Sequence, residues 1–270
     1  MLDSASDTAR SRSWTLKSYF QPVQGDSRLE CRTLAFRTFG KEDRLALAIF
    51  DLDNTLIGGD SDYLWGRFLA EQGIVDGESY ERENLRFYEE YKAGTLDILE
   101  FLRFSLRPLA ENDPTQLARW RRQFVDEMIR PIQLPAAEAL IERHRQTGDE
   151  LLIITATNRF VTEPIAELLG IPHLLATEPE VIDGRYTGNV VDTPCFQEGK
   201  ITRLKHWLDE TDHHLSGSWF YSDSHNDLPL LELVDHPVAV DPDEPLTRHA
   251  RSQGWPVVTL RDRDEAPVFD

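Results

Sequence analysis

Four short apolar runs punctuate the sequence: LALAIFD (45–51), LLIITA (151–156), SWFYSD (218–223) and PVAV (237–240), three of them with a polar residue at or next to their carboxyl end. Runs this short and this continuous have the pattern of strands buried on both faces, as in a parallel sheet covered by helices on either side. The segments between them support that reading. Residues 135–146, 163–169, 200–208 and 228–234 carry apolar side chains at three- and four-residue intervals, and Gly148 and Gly170 stand where helices end. The expected fold class is α/β, a doubly wound and mostly parallel sheet.

One interval breaks the alternation. Residues 57–134 show no buried-strand run but have helical periodicity over 62–72, 80–92, 96–106 and 114–129. A block of that length exceeds a simple crossover, so it reads as a helical cap inserted after the first strand, where open α/β sheets place their ligands. The expected organisation is a flexible N-terminal extension over 1–44, a Rossmann-like core over 45–56 and 135–270, and a helical cap domain over 57–134. Within the core, Asp183-Gly184 between alternating residues of EVIDGRYTGNV (180–190) predicts a hairpin with a tight turn.

Bulk properties exclude several function classes. A formal charge of -19 disfavours broad contact with a nucleic-acid backbone, which requires clustered Lys and Arg. No apolar run approaches the roughly 18 residues needed to span a bilayer, so no membrane partner is expected. Cys31 and Cys195 are the only cysteines, and they are far apart with no ligand-like spacing. That suits a reducing compartment, and a cytoplasmic location is expected. The eight histidines, His213-His214 included, also lack ligand spacing and read as surface residues.

The stretch AIFDLDNTL (48–56) carries the chemical question. Alternation puts Asp51 and Asp53 on one side of an extended chain, and two acids so close require a cation, a shared proton or plain solvent. Metal site, acid/base pair and ordinary strand end all fit these residues alone. The rest of the sequence narrows the choice, because strands of a parallel sheet deliver their carboxyl ends to one edge. Thr155 follows the second run, Asp223, Asn226 and Asp227 follow the third, and Lys200 starts the preceding helix. Phosphoryl transfer needs a nucleophile, a proton donor for the leaving group and positive charge on the phosphate oxygens. Asp51 suits the first role and Asp53 the second. Asp51 with Asp223 offers hard oxygens for Mg²⁺, and Lys200 and Thr155 suit phosphate oxygens.

FDLDNTL, ITAT, EGK and SDSHNDLPLL, in this order, resemble the four motifs of the haloacid dehalogenase-like phosphohydrolases. More narrowly they resemble the phosphoserine phosphatase-like branch, subfamily IB, over about residues 45–262. The resemblance implies Asp51 as nucleophile and metal ligand, with Asp53 as acid/base whose backbone carbonyl also reaches the metal. It further implies Asp223 as metal ligand, Asp227 as support for the metal's water shell, and Thr155, Ala156, Lys200 and Asn226 as phosphate-binding. In the cap it implies Asp60 and Arg103 as substrate-binding. The chain departs from the branch in having Asp60 in place of a Glu, and Thr155-Ala156-Thr157 in place of SGG.

The expected function is thus a Mg²⁺-dependent phosphomonoesterase working through an aspartyl-phosphate on a small phosphorylated metabolite. Phosphoserine, or an amino-acid-like phosphate such as histidinol phosphate, is the expected substrate. The alternatives are a phosphotransferase using the same intermediate and a non-catalytic phosphate-binding module. Plainer roles stand beside the sharper ones: Asp60 as a helix N-cap, Arg103 as a helix-face partner of Glu100, and Tyr63, Trp65 and Phe68 as cap core.

Overall fold

The computed structural model describes residues 46–261 and 264–268; the extension expected over 1–44 lies outside the described residues. In chain order, β1 (Leu47–Phe50) is followed by α1 (Ser61–Glu71), α2 (Gly77–Ala93), α3 (Ile98–Ser105), α4 (Arg107–Glu111) and α5 (Pro114–Phe124). Then come α6 (Pro135–Thr147), β2 (Glu150–Asn158), α7 (Arg159–Leu169), β3 (His173–Ile182) and β4 (Arg185–Val191). The chain continues through α8 (Glu198–Glu210), β5 (Trp219–Ser222), α9 (Leu228–Leu231), β6 (His236–Val240), α10 (Glu244–Gln253) and β7 (Val257–Val258).

The strands form one sheet in the order β4-β3-β2-β1-β5-β6-β7. All neighbouring pairs are parallel except β3 with β4. Strand β1 occupies the middle and is wholly buried, because alternate residues enter opposite cores. Ala48 and Phe50 pack with Leu140 of α6 and Ile165 of α7, whereas Leu47 and Ile49 pack with Leu204 of α8, Leu230 of α9 and Leu246 of α10. Each fully buried aliphatic side chain of this kind contributes about 1.5–3 kcal/mol. The expected α/β sheet with helices on both faces is the observed one.

Strand order reverses direction at β1. The chain moves outward through β2 and β3, then returns to place β5 on the other side of β1. A crevice at the carboxyl ends follows from such a reversal. Helices α1 to α5 occupy the interval between β1 and α6, and the chain leaves and re-enters the sheet layer side by side. Ile57 forms an antiparallel bridge with Gln133, and the Gly58 N–H donates to the Ile132 carbonyl at 2.8 Å. Asp183 and Gly184 both have positive φ, 51° and 76°, which closes the β3–β4 hairpin in the tight turn that an Asp-Gly pair favours. No described helix is long and apolar enough to cross a membrane.

Candidate active site

Asp51 stands one residue past β1, where its N–H still donates to the Tyr221 carbonyl of β5 at 2.9 Å. The chain then turns through Asn54, whose φ of 59° suits an asparagine, with the Asn54 N–H bonded to the Gly59 carbonyl. This turn brings Asp53 back to the same edge. One Asp53 oxygen accepts the Ser61 N–H at 2.6 Å and the other accepts the Thr157 hydroxyl at 2.9 Å and the Thr155 hydroxyl at 3.4 Å. Thr55 holds the other side. Its hydroxyl lies 3.2 Å from Asp51 Oδ2 and 3.4 Å from Asp223 Oδ1, and it accepts the Asp223 N–H at 3.1 Å.

Lys200 sits in the first turn of α8, buried, with its Nζ 2.8 Å from Asp51 Oδ1 and 2.8 Å from Asp227. Ser222 Oγ donates to Asp227 at 2.7 Å, fixing that acid against the lysine. Gly199 explains how α8 comes so close. A Cβ there would lie 2.0 Å from the Pro194 carbonyl oxygen, so only glycine permits the approach.

The electrostatics are unbalanced. Burial raises the carboxyl of Asp51 above the ordinary range, against the opposing pull of Lys200, and Asp227 and Asp53 raise it further. Burial raises Asp53 as well, against its hydrogen bonds from Ser61 and Thr157. Asp223 is pushed well up by burial and by repulsion from Asp51 and Asp227. Lys200 is thus one cation among several crowded acids. The Asp51 and Asp223 oxygens that meet across Thr55 form a hard-oxygen donor set of the kind a divalent ion such as Mg²⁺ takes. The residues therefore fit that ion.

A cleft opens above this edge. Its floor is Asp51, Asp53, Thr155, Ala156 and Thr157; its upper wall includes Asp60, Asp62, Tyr63, Tyr88, Tyr91 and Phe101 from the helices between β1 and α6. Asp60 has both positions considered for it, since it lines the cleft and its side chain also accepts the Tyr63 N–H at 2.8 Å as the N-cap of α1. Burial and the charge of Asp53 raise Asp60 to about 7. Asp62 rises well above its ordinary value through burial, Asp60 and Asp53.

Arg103 is not brought to the cleft. Phe101 faces the cleft, and two residues further on is about 200° around the helix. The guanidinium is consequently exposed and borders a separate groove with Leu99, Gly188, Asn189 and Val190. Glu100, its suggested partner, instead accepts from Arg86 at 2.8 Å. Asn226 is also engaged elsewhere: its amide donates to the Tyr91 carbonyl of α2 at 3.1 Å and its oxygen accepts from Gln197 at 2.9 Å. Trp65 and Phe68 are core, whereas Tyr63 turns to the cleft. The sequence alone did not point to Asp62 or Ser222, and it showed Thr157 only as a departure from SGG. An acid two residues after Asp60 was the available signal for the first; hydroxyls flanking the motif residues carried none.

Residues 48–232 match the haloacid dehalogenase-like hydrolase family. The chain belongs to that family. It is 48% identical over 219 residues to a histidinol-phosphatase of Neisseria meningitidis serogroup C, covering 80% of this chain and 99% of the relative. It is 30% identical over 222 residues to phosphoserine phosphatase SerB1 of Mycobacterium tuberculosis, covering 81% of this chain and 72% of that one. Among solved structures, a protein of unknown function from Bordetella pertussis Tohama I is similar, with TM-score 0.76, 43% identity and coverage of 80% of this chain and 99% of that one. A substrate-bound phosphoserine phosphatase shares the fold at TM-score 0.60 and 18% identity, over 82% of this chain and 95% of that one.

In this haloacid dehalogenase-like hydrolase the end of α2 presses on the carboxylate-bearing edge at Gly94. Its φ is 70°, and a Cβ there would lie 2.7 Å from His225 Nε2, on a ring whose Nδ1 is 2.6 Å from Asp243. A side chain at 94 therefore meets a pinned neighbour and an unfavourable left-handed backbone, the latter costing roughly 1–2 kcal/mol. Gly94→Ala is expected to lower Tm by about 2–8 °C and to reduce kcat/KM, as measured by thermal melting and aryl phosphate turnover. An unchanged melting curve would show that the contact yields freely.

Proposed function

We propose that this phosphoric monoester hydrolase removes phosphate from histidinol phosphate, an amine-bearing substrate without a carboxylate, in preference to phosphoserine. One observation carries the choice. The lining of the cleft includes Asp60 and Asp62 with Tyr63, Phe87, Tyr88, Tyr91 and Phe101, and no Lys or Arg among the described lining residues. Lys92 lies 5.1 Å over the Tyr88 ring but borders an adjoining groove, and Arg103 points away. A substrate carboxylate has no cation to meet in that wall. An ammonium or imidazolium meets two acids and aromatic faces, both attractive to positive charge. The 48% identical histidinol-phosphatase supports the same reading.

In the proposed reaction an oxygen of Asp51 attacks phosphorus and the bond from phosphorus to the substrate oxygen breaks. Asp53, whose raised carboxyl suits a proton donor, gives its proton to the departing alcohol. The resulting aspartyl-phosphate is hydrolysed when the Asp53 carboxylate takes a proton from water as that water attacks phosphorus. Inorganic phosphate leaves and Asp51 is restored. Mg²⁺, when held by Asp51, Asp223 and the Asp53 carbonyl with Asp227 behind, supplies positive charge that offsets phosphate repulsion. Lys200 contributes a fixed cation on the nucleophile, and the Thr155 hydroxyl and Ala156 suit the phosphate oxygens.

The test is a comparison of kcat/KM for histidinol phosphate and phosphoserine with Mg²⁺. A preference of about 10²-fold or more for histidinol phosphate is expected, and parity or a phosphoserine preference sinks the proposal. Two isosteric variants locate the cause. Asp62→Asn and Asp60→Asn, the second keeping an N-cap acceptor, are each expected to lose about 30-fold or more on histidinol phosphate, the fold-change of a 2 kcal/mol charge contact. Turnover of a phosphate ester whose aryl group carries no charge should fall far less. Because Asp62 is held above its unfolded value, its ionisation costs stability as pH rises above 3.8. Asp62→Asn should therefore melt higher than the parent at pH 8, with the gain shrinking on acidification.

A further inference from the structure

At the opposite end of the sheet, three side chains distant in sequence converge. Glu150 opens β2, His173 opens the neighbouring β3, and His213 lies on the connection between α8 and β5. His173 Nε2 is 2.8 Å from Glu150 Oε1, and one ligand-capable atom from each of the three residues falls within 4.8 Å of the others. Strand pairing fixes the first two. His173 is in register with Leu152, and the Glu150 N–H is bonded to the Ala46 carbonyl at 2.9 Å. His213 is oriented by Trp207 of α8, against which it stacks with centroids 4.8 Å apart and planes 7° from parallel.

From this arrangement we infer a second metal site, formed by Glu150, His173 and His213 and selective for a borderline transition ion of the Zn²⁺ class. The donor set decides the class. Two imidazoles and one carboxylate suit Zn²⁺ or Co²⁺ with a fourth position left for water, whereas Mg²⁺ takes oxygen donors. All three side chains are part-exposed, so an ion can enter from solvent. Tetrahedral bonds of about 2.0–2.1 Å place ligand atoms roughly 3.3 Å apart, so ion binding would part the Glu150–His173 pair from 2.8 Å and draw His213 in from within 4.8 Å. His173 Nε2 exchanges its contact with Glu150 for the ion as the ion binds.

The site lies far from the phosphate chemistry. Strand β2 runs from Glu150 at this end to Thr155 and Thr157 at the catalytic end, with a rise of about 3.3 Å per residue. An ion here joins the starts of β2 and β3 to the α8–β5 connection, so it acts on the stability of the core and leaves the reacting atoms alone. Nothing in the sequence spacing announces it, since the ligands are separated by 23 and 40 residues.

The experiment is calorimetric titration of the untagged full chain with ZnCl₂ in millimolar Mg²⁺, added to fill the carboxylate cluster around Asp51. One additional Zn²⁺ per chain is expected. His173→Ala and His213→Ala should each abolish that binding event while retaining Mg²⁺-dependent aryl phosphate turnover. Zn²⁺ should raise Tm in the parent and not in either variant, and Co²⁺ should give the visible absorption of a four-coordinate ion only in the parent. Should His173→Ala fail to fold, His213→Gln, changed on a connection and not in a strand, gives the same reading. Zinc stoichiometry and affinity unchanged in the variants, or no zinc bound by the parent in Mg²⁺, overturns the inference.

Discussion

Asp51→Asn is expected to lower kcat by about 10⁵–10⁶-fold, the scale on which a covalent nucleophile is lost. An amide oxygen is a poor nucleophile toward phosphorus, and Lys200 and Thr55, the two groups that orient the carboxylate, offer no substitute. The variant should stay folded, because Lys200 retains Asp227 at 2.8 Å and the isosteric amide keeps an acceptor for the lysine. Phosphate release followed with Mg²⁺, beside a melting curve, separates chemistry from folding. Activity within tenfold of the parent in a folded Asp51→Asn protein would remove the nucleophile assignment altogether. Asp53→Asn offers a graded companion. A lost proton donor costs about 10²–10⁴-fold, and the deficit should be largest for alkyl phosphates, whose departing alkoxide needs the proton, and smallest for nitrophenyl phosphate.

Much of this edge is legible in the sequence alone. Strands β1, β2, β5 and β6 are continuous apolar runs because both of their faces are largely buried, and such burial leaves short apolar runs without alternation. The residues closing those runs had to converge once the sheet was parallel. The parallel half of β3 was less legible: HLLAT follows Pro172 and passes directly into the hairpin, so one strand serves two pairings and shows neither pattern cleanly. Strand β7 pairs through only two residues. Orientation around a helix was the other blind point. Helical spacing places Arg103 on α3 but does not say which way α3 is rotated, and the buried Leu102 and Ser105 turn Arg103 to the surface while Ile98 and Phe101 take the cleft. The same limit hid Asp62, which reaches the cleft because Asp60 starts α1 just before it. Convergence of Glu150, His173 and His213 depends wholly on tertiary proximity, which no local period encodes.

Lys200→Ala carries the largest expected loss of stability, because the lysine holds two buried acids at once. Burial alone pulls its ammonium down, yet Asp227 and Asp51 outweigh burial and the net shift is upward, so the lysine stays charged throughout the range in which the enzyme works. Its removal strands Asp51 and Asp227 without a counter-charge in a site 4% and 2% exposed. Breaking a buried pair from one side costs about 3–5 kcal/mol, or roughly 6–20 °C of Tm for a domain of this size. The pH dependence distinguishes charge from packing. Asp51 has a folded value already raised from 3.8 to about 7 with the lysine present. Without it the value climbs further, so the ionisation penalty is complete in alkali and is relieved as pH falls through that raised value toward 3.8. The Tm gap between parent and Lys200→Ala should thus be widest in alkali, narrow as pH falls to about 7, and stay level below that, where Asp51 is protonated in both proteins. Lys200→Met, which refills most of the volume with an uncharged chain, should show the same gap and the same narrowing. A methionine variant as stable as the parent at pH 8 would mean that the lysine stem, and not its charge, holds this edge together. The catalytic acids would then owe their placement to Thr55, Ser222 and the strand ends alone.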